Sequence, residues 1–210
     1  MLKFIKLSVL GWVMIVVMAG GRSSRMGKEK PILEVGGVPM VLRVYEEVSK
    51  VDESIVAVSR HTPKTKELCI KEGIEFIETP GAGYVEDINY LLRELGPFIS
   101  VSSDLPFIKA SDVYEMKKEF DGRVSLTGVL PLSLVPRDLN PVVYRGYAIV
   151  GVNAVGIEGE EFFILHNPLL ALNVNAPWDL EFANRITKIL GSKVLLEGSD
   201  LHEGSQGYRG

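Results

Sequence analysis

An alternation of two periodicities narrows the fold more than any other feature of this chain. Short runs rich in β-branched residues, Met14–Met18 (MIVVM), Ser54–Ser59 (SIVAVS), 74–78 (IEFIE), 98–103 (FISVSS) and 123–129 (RVSLTGV), are separated by stretches whose apolar residues recur at helical spacing. Strands joined through helices make βαβ crossovers, so this rhythm predicts an α/β protein with a mostly parallel sheet covered on both faces. The intervening helices are expected over 38–50, with Pro39 near its start, over 64–72 after Thr62-Pro63, over 84–95 after the glycines of TPGAG, and over 110–120. Beyond residue 130 the rhythm breaks. LPLSLVPRDLNP reads as a Pro-punctuated loop, and residues 142–156 (VVYRGYAIVGVNAVG) read as a small inserted hairpin turning at Arg145-Gly146. The stretch 170–190 (LALNVNAPWDLEFANRITKIL) then reads as a strand, an Asn-capped start and a last helix. One domain over 14–196 is expected, with residues 1–13 a dispensable extension and 197–210 a flexible Gly/Ser-rich tail.

Ligands of a parallel α/β sheet sit outside the carboxyl ends of its strands, and the first strand ends in AGGRSSRMGKEK, Ala19 to Lys30. Gly20 and Gly21 lack a Cβ, so their amides can approach an anion closely and form a concave nest. Arg22, Arg25, Lys28 and Lys30 can neutralise the charge it binds, the arginines through two bonds each and the lysines as point charges. That combination suits a nucleoside triphosphate. A Gly turn with solvated basic residues would account for the glycine pair alone. The loop has neither the G-x-x-x-x-G-K-[ST] of P-loop proteins nor the G-x-G-x-x-G of dinucleotide binders.

What it resembles is the A-G-G-x-S-x-R-M-G-x-D-K signature of the MobA-like nucleotidyltransferases, with Glu29 where many relatives carry Asp. Three further stretches, HTPKTKE from His61, TPGAGYVEDINYLL from Thr79 and ALNVNAPWDL from Ala171, together with VSSDLP from Val101, resemble the archaeal GTP:adenosylcobinamide-phosphate guanylyltransferases, the CobY family. The resemblance implies a three-layer Rossmann-like fold of the nucleotidyltransferase type. It also implies transfer of GMP from GTP to adenosylcobinamide phosphate with release of pyrophosphate, in cobalamin biosynthesis, by a homodimer. Molybdenum-cofactor guanylyltransferase, which shares the loop and the nucleotide, is the alternative, and a GTP-binding module without turnover is a second.

A carboxylate at the end of a buried strand can hold Mg²⁺ against nucleotide phosphates, which makes Asp104 the first metal ligand; a turn cap before Leu105-Pro106 would explain it differently. Asn175 resembles the position of a second metal contact, and an N-cap of the last helix explains it equally well; Asn173 is a weaker candidate. The acceptor is already an ionised phosphate, so the reaction needs no protein nucleophile or general base; its difficulty is electrostatic. Lys30 is assigned to the α-phosphate, and Arg25 with the Gly20 and Gly21 amides to the β- and γ-phosphates. Ala19, Arg22, Ser23 and Gly27 complete the nucleotide loop, while Thr79, Gly81 and Gly83 are placed beside the nucleoside. Glu86 and Asp87 can accept from guanine N1 and N2, or decorate the positive end of a helix. Tyr144 and Tyr147 on the hairpin can touch a large acceptor.

The charge balance, 23 basic against 27 acidic residues for a net of −4, excludes a general nucleic-acid binder. Cys69 is the only cysteine, so no internal disulfide forms and a reducing cytoplasm is expected. The apolar run after the first lysines has the outline of a signal peptide, but it leads directly into the strand that carries the glycine loop, so neither cleavage nor a membrane span is expected. His61, His166 and His202 show no ligand spacing and read as structural or surface residues.

Overall fold

The first strand, β1 (Met14–Met18), lies at the centre of the sheet and is shielded on both faces, which is why its sequence is apolar without alternation. A computed structural model describes residues 13–23 and 27–200; Arg25, residues 1–12 and residues 201–210 lie outside the described residues. Two-residue strands β2 (Glu34–Val35) and β3 (Val38–Pro39) form a hairpin. The main strands are β4 (Ser54–Ser59), β5 (Phe76–Thr79), β6 (Phe98–Ser102), β7 (Val124–Pro131), β8 (Val143–Tyr144), β9 (Tyr147–Val155) and β10 (Glu158–Ile164). The helices are α1 (Met40–Val48), α2 (Pro63–Glu72), α3 (Tyr84–Leu95), α4 (Ala110–Glu119) and α5 (Pro177–Asp200).

The eight-stranded sheet has the order β10-β7-β9-β6-β1-β4-β5, with β8 on β9. β1 pairs in parallel with β4 and β6, and β4 in parallel with β5. β9 runs against its neighbours β6 and β7, and β10 is parallel to β7. The architecture is the expected three-layer, mostly parallel Rossmann-like sheet. Alternate residues of β1 feed two cores: Ile15 and Val17 pack with Val41 and Val44 of α1 and with Val113 and Met116 of α4, while Met14 and Val16 pack with Leu91 of α3 and Phe98. α3 covers the β1, β4, β5 and β6 part of its face. On that side β9 leaves Tyr147, Ile149, Gly151 and Asn153 half-exposed. Among the described residues no helix is long and apolar enough to cross a membrane.

Several boundaries differ from the sequence reading. The first helix begins at Met40 because Gly36 and Gly37, at φ 62° and 78°, turn Val38-Pro39 back on Glu34-Val35 as a hairpin. The strand expected in LALNV is absent: Pro168 opens a 3₁₀ turn over Pro168–Ala171, with Asn167 Oδ1 accepting from the Leu169 amide. The chain then crosses over α4's side of the core with a backbone bond from Val174 N to Asp104 O, 3.0 Å. In its place β10 forms from EGEEFFI, whose consecutive glutamates hide the strand pattern but suit an edge that must not pair further. The last helix is continuous through Asp200. Val13 belongs to the fold: its amide donates to Asp52 Oδ2 at 3.1 Å and its side chain packs on the core.

Candidate functional site

Parallel strands deliver their carboxyl ends to one side of the sheet, so the loops after β1, β4, β5 and β6 converge there around an open cleft of about 290 Å³. Of the residues singled out in the sequence, Ala19, Gly20, Gly21, Arg22, Ser23, Lys30, Gly81, Gly83, Asp87 and Asp104 line it. Gly27 sits on the exposed part of the loop at φ 62° and does not line the cleft.

The two loop glycines serve different ends. A Cβ on Gly20 would lie 3.2 Å from Ser59 Cβ and 3.3 Å from Thr79 Oγ1, so this glycine lets β1's exit pack against the ends of β4 and β5. A Cβ on Gly21 would meet nothing within 4 Å, because it faces the cleft itself. Ser23, at φ 49°, ties the loop together: the Lys30 amide donates to its Oγ at 3.0 Å, and the Oγ donates to Gly21 O at 3.3 Å. Glu29 closes the far side. Its carboxylate accepts from Lys64 N (2.9 Å), Thr65 N (2.8 Å) and Thr65 Oγ1 (2.8 Å), capping the start of α2, whose own Thr62 makes no side-chain cap. The departure from Asp at this position is therefore put to use by a side chain one methylene longer.

On the β4 and β5 side, Ser59 Oγ donates to Gly20 O at 2.6 Å and accepts from the His61 amide at 3.1 Å. His61 Nε2 is 3.0 Å from Gly81 O, to which it donates in its Nε2-protonated tautomer. In the other tautomer the same nitrogen accepts from Arg22 Nε at 3.3 Å, and the rest of the exposed guanidinium stays available to a ligand. The Gly81 amide donates to Asp87 Oδ1 at 2.9 Å, so Gly81, at φ 63°, is gripped at both polar groups. His61, read from the sequence as a structural or surface residue, lines the cleft and couples the loops. Its pairing with Gly81 is non-local, and nothing in its spacing announced it. Thr79 is buried behind the cleft, donating to Val58 O at 3.2 Å; it supports Gly20 and does not line the cleft. Asp87 spends one oxygen on the backbone, and Glu86 is exposed with its carboxylate beside Gly83.

Opposite these loops, Lys30 Nζ donates to Asp104 Oδ2 at 2.5 Å and to Asn175 Oδ1 at 3.0 Å. Asp104 is 6 % exposed, and its Oδ1 is buried without a hydrogen-bond partner among the described residues; the same holds for Asn173 Oδ1. The alternative N-cap role of Asn175 is not what is seen. Asp179 Oδ2 accepts from the amides of Asn175 (2.8 Å) and Ala176 (2.7 Å), capping α5 from inside its first turn and leaving the Asn175 side chain for Lys30. A free carboxylate oxygen and an amide oxygen are hard donors, so the residues fit a Mg²⁺ ion held by one or two protein ligands and otherwise by water and phosphate. Tyr84, unassigned in the sequence, forms the wall between the cleft and the open part of the sheet, where Asn153 Nδ2 donates to its hydroxyl at 3.1 Å. Beyond it Phe162 makes edge contacts with Tyr144 and Tyr147, ring centroids 6.1 and 5.7 Å apart.

Comparison with known proteins agrees with this geometry. The chain is 31% identical over 194 residues to an adenosylcobinamide-phosphate guanylyltransferase of Methanocaldococcus jannaschii, covering 82% of this chain and 96% of that one. It is 28% identical over 182 residues to a probable molybdenum cofactor guanylyltransferase of Aquifex aeolicus, covering 79% and 87%. Among solved structures, the molybdopterin-guanine dinucleotide biosynthesis protein A of Archaeoglobus fulgidus superposes with a TM-score of 0.62 over 84% of this chain and 99% of that one; at 18% identity this likeness speaks for the fold alone. The model of the MobA-like NTP transferase domain matches residues 15–146, from β1 through the hairpin turn, and the chain belongs to that family.

Proposed function

We propose that this protein transfers GMP from GTP to adenosylcobinamide phosphate, forming adenosylcobinamide-GDP and pyrophosphate. The observation that carries the reading is the convergence of Lys30 and Asp104, brought together from 74 residues apart, at the mouth of a glycine nest. The similarity to the Methanocaldococcus jannaschii enzyme, over 82% of this chain and 96% of that one, supports this acceptor. In the reaction an oxygen of the acceptor phosphate attacks the α-phosphorus of GTP; the new P–O bond forms as the α–β bridging bond breaks, and the electron pair leaves with pyrophosphate. The amides of Gly20 and Gly21 and the guanidinium of Arg22 suit the β- and γ-phosphates, and Lys30 suits the α-phosphate, where its charge counts most as the leaving group departs. Bound at Asp104 and Asn175, Mg²⁺ would supply further positive charge to the phosphate oxygens.

The acceptor approaches over the uncovered part of the sheet beyond Tyr84, where the rings of Tyr144, Tyr147 and Phe162 offer a surface for a large, flat molecule. Val142 and Val143, exposed on the short β8 edge, suit a second copy of the chain, and the working form proposed is a cytoplasmic homodimer. The test is pyrophosphate release with each of the four nucleoside triphosphates and Mg²⁺, using adenosylcobinamide phosphate or the molybdenum-cofactor pterin phosphate as acceptor. Turnover is expected with GTP and the corrinoid phosphate. Turnover with the pterin alone would transfer the reading to the molybdenum cofactor, and nucleotide binding without turnover would reduce the protein to a GTP-binding module.

A further inference from the structure

We infer that the Lys30 ammonium is a tethered stand-in for the divalent cation: it closes the metal site while the cleft holds no nucleotide, so metal is admitted only together with the triphosphate. The inference rests on the reading of the protein as a metal-dependent nucleotidyltransferase. It starts from Lys30 Nζ contacting an oxygen of each of the two residues assigned to the metal, Asp104 Oδ2 at 2.5 Å and Asn175 Oδ1 at 3.0 Å. An ammonium and a dication cannot share these oxygens, since they would lie within a few ångströms of each other in a site largely screened from water, with side-chain exposures of 19% for Lys30 and 9% for Asp104.

Charge counting points the same way. Among the described residues no cluster of three or more acidic, histidine or cysteine groups could hold a metal, and the carboxylate in contact with Lys30 is that of Asp104. Paired with Lys30 it presents a net charge of about zero, which gives a divalent cation little reason to leave water. Yet the carboxylate is only half used: Oδ1 is buried with no partner among the described residues, and this unspent acceptor favours a further cation once one can enter.

The backbone decides what can move. The Lys30 amide is bonded to Ser23 Oγ at 3.0 Å, its carbonyl accepts from Leu33 N at 3.1 Å, and the buried Pro31 follows it. The main chain of Lys30 is thereby fastened to the same loop that offers its glycine amides to phosphate, and only its flexible side chain can swing. A triphosphate docked on that loop carries more negative charge than one carboxylate and lies within the side chain's sweep. It draws the ammonium from Asp104 and brings the compensating anionic oxygens for the metal. One residue therefore binds the α-phosphate and, by leaving, opens the metal site.

The experiment measures Mn²⁺ binding without nucleotide, by electron paramagnetic resonance of the free ion, for the wild-type chain and for Lys30→Gln, Lys30→Met and the double variant Lys30→Gln/Asp104→Asn. Thermal melts verify that each is folded. The wild type is expected to bind Mn²⁺ weakly. Either single variant should bind it about tenfold or more tightly, because the competing charge is gone while Asp104 remains. The double variant should lose that gain, which assigns it to Asp104. Using two replacements, one hydrogen-bonding and one apolar, guards against one of them failing to fold, and the wild-type measurement needs neither. Tight stoichiometric Mn²⁺ binding by the nucleotide-free wild type would overturn the inference. So would single variants with wild-type affinity, or a gain that survives Asp104→Asn. These outcomes are separate from the transferase assay: a wild type that turns over GTP with Mg²⁺ but fails the Mn²⁺ test loses only the gate.

Discussion

Gly20 and Gly21 are neighbours and chemically identical, yet their substitution should separate folding from function. Gly20→Ala forces Ser59 and Thr79 to give way by a few tenths of an ångström in the exit of a buried strand, and should cost roughly 1 kcal/mol of stability in a urea melt. Gly21→Ala meets no protein atom and has an unremarkable backbone, so its melt should stay within about 0.5 kcal/mol of wild type while GTP affinity falls, because the methyl group occupies the ligand's space. Equal losses of affinity with no stability difference would mean that both glycines serve only the ligand. The sequence displayed this pair as a phosphate loop but could not say which glycine faces the protein, since that depends on where Ser59 and Thr79 arrive. Glu29 is a similar case: a mild departure from a motif in the sequence, it is in the fold a carboxylate bound to two amides and a hydroxyl at the start of α2.

At the scale of elements, Tyr84–Leu95 was legible to the residue because glycines precede it, Gly96 follows it and its apolar residues keep one face. The turn at Arg145-Gly146 was legible too. Both residues hold positive φ, 49° and 83°, which a two-residue hairpin turn with the right twist requires. β10 was not legible, since an edge strand guarded by Glu158, Glu160 and Glu161 shows charge where alternation would reveal it. The insertion of β9 between β6 and β7 makes its own demand on sequence. At Gly128, opposite the irregularity in the β7–β9 register, a Cβ would lie 2.3 Å from Val152 O, a backbone atom that cannot step aside without breaking the ladder. Gly128→Ala should therefore destabilise by about 1–3 kcal/mol or more, with nucleotide affinity retained in whatever fraction remains folded. A melt equal to wild type would show that β7 and β9 can separate at this point.

The whole molecule places its one cysteine where it has no chemistry to do. Cys69 on α2 is fully buried, and burial pushes its thiol up to about 11. At pH 8 only about one thiol in a thousand is ionised, so labelling by a disulfide reagent should be negligible in the native protein and should follow global unfolding in denaturant. Fast labelling under native conditions would mean that α2, and with it the Glu29 cap of the phosphate loop, opens locally. By itself the sequence determined the layer order, the strand that carries the site and the chemistry of the anion loop, because these are written in local periodicity, in missing Cβ atoms and in charge close along the chain. Its family motifs also named Asp104, Lys30 and Asn175 one by one. Only the tertiary structure decided that one ammonium joins the three, that His61 and Asp87 hold Gly81 from opposite sides, and that Thr79 stands behind the cleft. Apart from the Gly81–Asp87 bond, those relations join residues 20 to 145 positions apart, and a parallel sheet brings such residues together only when the crossovers between them have closed and the strands end on one side.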